Sequence, residues 1–194
     1  MKLNSGAPTK EKLIEAAIEL MAEHGFHATS VQSIVDTAGA TKGAFYHHFE
    51  SKDDVLVAIF ERFNERRVEL LREIIDEDSS SAAFAKLVEE LTAAQDSYGR
   101  EISILSRDGQ YLRKIASARV QAAQGEVEHL IVQAIDRGVK DGEFEPVQSA
   151  QFVAFGIFGM TTWLHQWYAP GGPMRAREIG RMYGSLLLDG LRAR

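Results

Sequence analysis

Apolar residues recur along this chain at three- and four-residue spacing, the period of a helix face, and almost nowhere in strand-like alternation. Leu13, Ile14, Ala17, Ile18 and Met21 make the first such stripe, which Thr9 can cap and Gly25 ends. Ser30 opens the next: Val31, Ile34, Val35 and Ala38 keep one face up to Gly39. Thr41 suits the cap of a third, very short helix whose Phe45 and Phe49 lie one turn apart on a buried face. Ser51-Lys52-Asp53-Asp54 has the form of a capping box with Asp in the acidic position. A long helix follows it through Val55, Leu56, Ile59, Phe60, Phe63 and Leu70.

Breaks near Asp76 to Ser81, Ser97 to Arg100 and Asp108-Gly109 divide the next stretch into medium helices. Ile115 through Val139 reads as one long helical run closed by Asp141-Gly142, and Pro146 suits the first turn of the helix after it. No Asp, Glu, Lys or Arg occurs from Pro146 to Met174. The apolar part, Phe152 to Met160, is too short to cross a bilayer, which predicts a fully buried helix and no membrane partner. A Pro170-Gly171-Gly172-Pro173 turn leads to a last helix with Ile179, Met182, Tyr183, Leu186 and Leu187. The whole pattern is all-α.

Composition narrows the chemistry. The absence of cysteine excludes disulfides and thiol nucleophiles, and the start, Met1 to Gly6, lacks the apolar core of a signal peptide, so a cytoplasmic protein is expected. His24-x-x-His27 and His47-His48 suggest a metal only weakly, because carboxylates at useful spacing and a His-Glu-x-x-His motif are missing. No metal, cofactor or catalytic residue is called for, and a helical enzyme is disfavoured.

Net charge is −6, and the first 55 residues contain more acids than lysines and no arginine. Any attraction to phosphate must therefore be local, from Lys42, Lys52, the histidines and helix N-termini. The short second and third helices, joined at Gly39, nevertheless have the layout of a helix-turn-helix, whose second helix enters the major groove. With Phe45 and Phe49 turned inward, Lys42, Gly43, Tyr46 and His47 are left on other faces. Lys42 suits guanine acceptors or a phosphate, Ala44 a thymine methyl, and Tyr46, His47 and His48 phosphate oxygens.

Gly25-Phe26, Ala28-Thr29-Ser30-Val31, Ala38-Gly39, Thr41-Lys42-Gly43, Phe45-Tyr46-His47-His48-Phe49 and Ser51-Lys52 together resemble the DNA-binding domain of the TetR family of repressors. The likeness runs over roughly residues 9 to 60, with Val35 where alanine is usual and Ala40 where valine is common. It implies a DNA-binding domain over residues 1–54 and a ligand-binding and dimerisation domain over 55–194. It also implies a DNA-facing surface of Ser30, Gln32, Thr41, Lys42, Gly43, Ala44, Tyr46, His47, His48 and Lys52. Lys42, Gly43 and Ala44 would read base edges, and Tyr46, His48 and Lys52 would hold phosphates. The partners implied are a palindromic double-stranded operator and a second copy of the chain. The uncharged segment from Pro146 to Tyr168 and the final helix are natural dimer elements, with Gly156 and Gly159 permitting close approach.

Trp163-Leu164-His165-Gln166-Trp167-Tyr168-Ala169-Pro170-Gly171-Gly172 resembles a signature of TetR-type regulators of fatty-acid, aromatic and steroid breakdown that answer to acyl-CoA thioesters. Gln166 stands where arginine or lysine is usual. An acyl chain or ring system wants aromatic walls and a CoA moiety wants cations. Tyr98, Tyr111, Phe155, Phe158, Trp163 and Trp167 are the candidate walls, and Arg107, Arg113 and Arg119 the candidate cations. The alternative is a sensor of cationic drugs controlling efflux, with Asp96, Glu101 and Asp108 near Tyr98 and Tyr111. Either way the expectation is ligand-linked repression. The ligand-free dimer holds its operator, and a small hydrophobic effector selects a conformer in which the helix beginning near Ser51 swings the DNA-reading units to the wrong spacing.

Overall fold

The computed structural model describes residues 9–77 and 79–192. In chain order they form α1 (Thr9–His24), α2 (Val31–Ala38), α3 (Lys42–His48), α4 (Lys52–Glu77), α5 (Ser80–Ser97), α6 (Gly99–Lys140), α7 (Ala150–Thr162), a 3-10 turn (Trp163–Gln166) and α8 (Ala176–Leu191). Among the described residues the one β-type pairing is an isolated antiparallel bridge between Phe144 and Arg192.

These helices make two compact units that do not follow chain order. The first holds residues up to Phe63 together with Arg100–Val120, and the second holds Asn64–Gly99 and Gln121 onward. Both α4 and α6 are thus shared between units.

The first unit is built around Leu13, Met21, Phe26, Ile34, Phe45, Leu56 and Ile59, all essentially inaccessible to solvent. Local chemistry sets its helix boundaries. The Ser30 hydroxyl accepts from the Ser33 amide at the start of α2, and Gly39 ends that helix in the left-handed region at φ 62°. The Thr41 hydroxyl accepts from the Ala44 amide to start α3. At α4 the Ser51 hydroxyl accepts from the Asp54 amide at 3.2 Å, while Asp54 accepts from the Ser51 amide at 3.0 Å, closing the predicted box.

The second unit has its own core, including Leu71, Ile74, Phe84, Leu87, Ile131, Ile135, Phe144 and Ile157. α5 and α8 pack closely because α8 offers glycine where they meet. A Cβ at Gly180 would lie 2.8 Å from the Glu89 backbone, and one at Gly184 3.1 Å from the Ala85 carbonyl oxygen. Arg177 bridges Glu89 and Glu90 across the same pair of helices, and Arg181 adds a second contact to Glu89. Arg67 donates to the Asn64 side-chain oxygen at 2.6 Å and lies over the Phe158 ring, where burial pushes its pKa down to about 10.

Three element-level expectations change. Asp108-Gly109 does not break α6; the non-helical residue is Ala116, at φ −141° and ψ 40°. Pro146 lies ahead of α7 instead of in its first turn, because Ser149 supplies the cap by accepting from the Phe152 amide. α7 is not buried all round. Ala154, Ile157 and Thr161 face the core, whereas Phe152 is 76% and Phe155 51% exposed.

Candidate nucleic-acid interface

α3 is seven residues long and anchored on one side only. Phe45 is fully buried, and Phe49, just past the helix end, is nearly so, their rings 5.6 Å apart. That anchor leaves Lys42, Gly43, Tyr46, His47 and His48 exposed, with Tyr46 at 58% and Ala44 half-buried. The Tyr46 ring meets the edge of Phe45 at 5.3 Å between centroids and is otherwise open to solvent. Ser30, Gln32 and Thr41 are exposed as well. Their polar groups already have local partners: the two hydroxyls cap α2 and α3, and the Gln32 amide donates to Asp36 at 2.8 Å.

Lys52 departs from the expected phosphate contact. Its ammonium donates to the carbonyls of Phe26 and Thr29, each at 2.7 Å, and stands 4.3 Å from the centre of the Phe26 ring. Burial lowers its pKa, while Asp53 and Asp108 nearby act to raise it. The cation closes the segment between α1 and α2 through these two carbonyls, the first of which also accepts from the Thr29 amide at 3.2 Å, and with its donors directed there it is not presented as a free charge.

Residues 13–59 match the family model of bacterial regulatory proteins of the tetR family, and residues 77–191 that of the tetracyclin repressor-like C-terminal domain. The HTH-type transcriptional repressor KstR2 of Rhodococcus jostii is 31% identical over 187 residues, covering 94% of this chain and 90% of the relative. The chain belongs to the TetR family. KstR2 of Mycolicibacterium smegmatis is 27% identical over 95% of this chain and 91% of its own. A structure of the ketosteroid transcriptional regulator KstR2 of Mycobacterium tuberculosis has a TM-score of 0.81 at 26% identity, covering 100% of this chain and 98% of the other. AibR in complex with isovaleryl coenzyme A and operator DNA has the same fold, with a TM-score of 0.78 at 21% identity over 92% of this chain and 97% of its own.

In this TetR-family transcriptional repressor, the residues expected to surround an effector are divided between the two units. Phe155, Trp163 and Trp167 are exposed, at 51%, 63% and 53%. Phe158 is half-buried against the second core beneath Arg67, and Tyr98 is half-buried at the junction of α5 and α6. Tyr111 and Arg107 belong to the first unit. The Tyr111 hydroxyl donates to Asp53 at 2.9 Å, and Arg107 donates to the Met21 carbonyl. Arg113 and Arg119 are exposed, the latter 3.3 Å from Glu61.

Two of the acids proposed for a drug site have structural partners. Asp96 accepts from the Tyr168 hydroxyl and, at 3.1 Å, from the Ala176 amide at the start of α8. Asp108 is buried beside Arg107 at 3.4 Å. Tyr168 was visible only as part of the tryptophan-rich signature. Its function in tying α5 to the start of α8 depends on a residue 72 positions away, which no local pattern reveals. Among the described residues no group of histidines and carboxylates suited to a metal occurs, and no helix is long and apolar enough to cross a membrane.

Proposed function

We propose that this repressor acts as a homodimer on a palindromic operator, each copy laying α3 in the major groove, and that a hydrophobic acyl-CoA thioester releases it. The observation that carries the DNA reading is the one-sided anchoring of α3, with Phe45 and Phe49 inside and Lys42, Gly43, Tyr46 and His47 outside. Lys42 meets guanine acceptors, Gly43 and Ala44 let the helix approach the bases, and Tyr46 and His48 donate to phosphates. Two such helices must stand about 34 Å apart to meet successive grooves.

The exposed apolar residues of α7, the 3-10 turn and α8, namely Phe152, Phe155, Trp163, Met182 and Leu186, support the dimer. The effector class rests on the tryptophan-rich segment from Trp163 and on kinship to KstR2, whose description in Mycobacterium tuberculosis is of a ketosteroid regulator. Steroid-derived CoA thioesters are therefore the first to try.

Fluorescence anisotropy on an operator duplex selected by the protein from random DNA tests both parts. Lys42→Ala and Tyr46→Phe should each weaken operator binding by about 1–3 kcal/mol or less, with the fold unchanged. Wild-type affinity in both variants would remove α3 from the interface. Addition of a steroid-derived CoA thioester should dissociate the complex, while the free acid and CoA alone should not. A thioester that binds tightly without loosening DNA would refute its role as inducer.

A further inference from the structure

The stretch of α6 from Arg107 to Tyr111 meets the first unit at three places: the end of α1, the segment after it and the start of α4. The Tyr111 ring lies against Phe26 and His27, with centroids 5.1 and 5.3 Å away, and its hydroxyl reaches Asp53 in the first turn of α4. Arg107 donates to the carbonyl of Met21 in the last turn of α1 and packs beside Gly25. Gly25 adopts φ 91°, a conformation that disfavours any side chain there. From the other side, Lys52 ties down Phe26 and Thr29. The segment from Gly25 to Thr29 is thus held between α6 and α4, and it leads directly into Ser30, the cap of α2. α2 and α1 are the helices against which α3 packs.

We propose that Tyr111 and Arg107 are positioning residues for operator binding, holding the segment between α1 and α2 and the start of α4 so that α3 is presented to the groove in one orientation. They act through Phe26, Met21 and Asp53 and touch no base. The inference rests on α3 being the DNA reader. Its energetic form is a population. A binding-competent arrangement that is only partly occupied weakens apparent affinity by its occupancy. One hydrogen bond contributes only modestly once exchange with water is counted, so loss of the Tyr111 hydroxyl should weaken operator binding roughly two- to tenfold.

The test uses the full-length protein, the selected operator duplex and a scrambled duplex of equal length. Tyr111→Phe keeps the ring against Phe26 and removes only the hydroxyl. Asp53→Ala removes the acceptor, and Asp53→Asn restores one through its amide oxygen. We expect Tyr111→Phe and Asp53→Ala each to weaken operator binding by about two- to tenfold, with the double variant no weaker than the worse single one. Asp53→Asn should return most of the loss, and affinity for the scrambled duplex should stay constant. Arg107→Met provides an independent probe of the second contact and should likewise lower operator affinity.

Lys42→Ala separates the outcomes. If Lys42→Ala weakens binding and both Tyr111→Phe and Arg107→Met leave it unchanged, the positioning role is overturned while α3 remains the reader. If Lys42→Ala has no effect, the reading of α3 fails and takes this inference with it. A lower melting temperature with operator affinity intact, or fully additive losses in the double variant, would also overturn it.

Discussion

Residue-scale chemistry separates two lysines that look alike in the sequence. Lys42 stands exposed at the start of α3, whereas Lys52 closes a loop through carbonyls 23 and 26 positions earlier. Removing the second should therefore act on folding: Lys52→Met removes the ammonium from which the Phe26 and Thr29 carbonyls accept and should cost about 1–3 kcal/mol in urea unfolding. Lys42→Ala should leave the unfolding midpoint in place. The caps at Ser30, Thr41 and Ser51 were legible because each joins groups three residues apart, and the partner of Lys52 was not because it lies a helix away. A pH dependence belongs here too. Hydrogen bonds from the Ser81 hydroxyl and amide hold Glu143 below the ordinary glutamate value of 4.5. A carboxylate held low in the folded chain stabilises it above that value, and the contribution is lost as pH falls through the depressed one. Ser81→Ala should shrink the drop in stability on acidification below about pH 5, read by thermal melts across pH; an unchanged acid limb would show that Glu143 does not contribute.

Helix existence followed from period and caps, and the misplaced details at α7 and at the glycines concern what a helix packs against. The charge-free run of α7 reads as buried on every side, yet a single copy covers only the face of Ala154, Ile157 and Thr161. Period reports apolar faces but not how many chains supply the cover. Glycines show the same gap. Gly156 and Gly159, expected at a close helix contact, have open space around them within the chain, while Gly180 and Gly184, not singled out, set the distance between α5 and α8. Gly180→Ala should therefore destabilise the second unit by about 1–3 kcal/mol through overpacking against the Glu89 backbone. Gly156→Ala should leave the stability of the individual chain unchanged or slightly raised, since alanine is the better helix former. Chemical unfolding of both variants in a monomeric background distinguishes them; equal effects would contradict the packing described.

At the scale of the whole molecule, the rings of Phe152, Phe155 and Trp163, with Met182 and Leu186, are left open to solvent on a single chain. A charge placed among them should break the proposed pairing. Phe155→Asp with Leu186→Asp is expected to sediment as a monomer with native helical content and to lose most of its operator affinity, because paired half-sites then bind independently. A dimer that persists in this double variant would place the interface elsewhere. The fold as a whole was the most legible property, since helical period, caps and the α3 pattern agree. The effector surroundings were the least, because aromatic residues such as Tyr111 and Trp163 carry the same signal whether they line a cavity, brace a loop or meet a second copy.

The meagre positive charge of the DNA-reading face has a consequence for how the protein finds its target. α3 carries one lysine, the first 55 residues contain no arginine, and Lys52 is turned inward. Each neutralised phosphate contributes about −0.9 to the slope of log affinity against log salt, so a reader with few cations has a shallow slope and little hold on arbitrary sequence. Such a molecule gains little from sliding along the chromosome. With α3 as the reader proposed above, it is expected to sample DNA in brief, separate encounters and to depend on fit at the operator itself for its residence time.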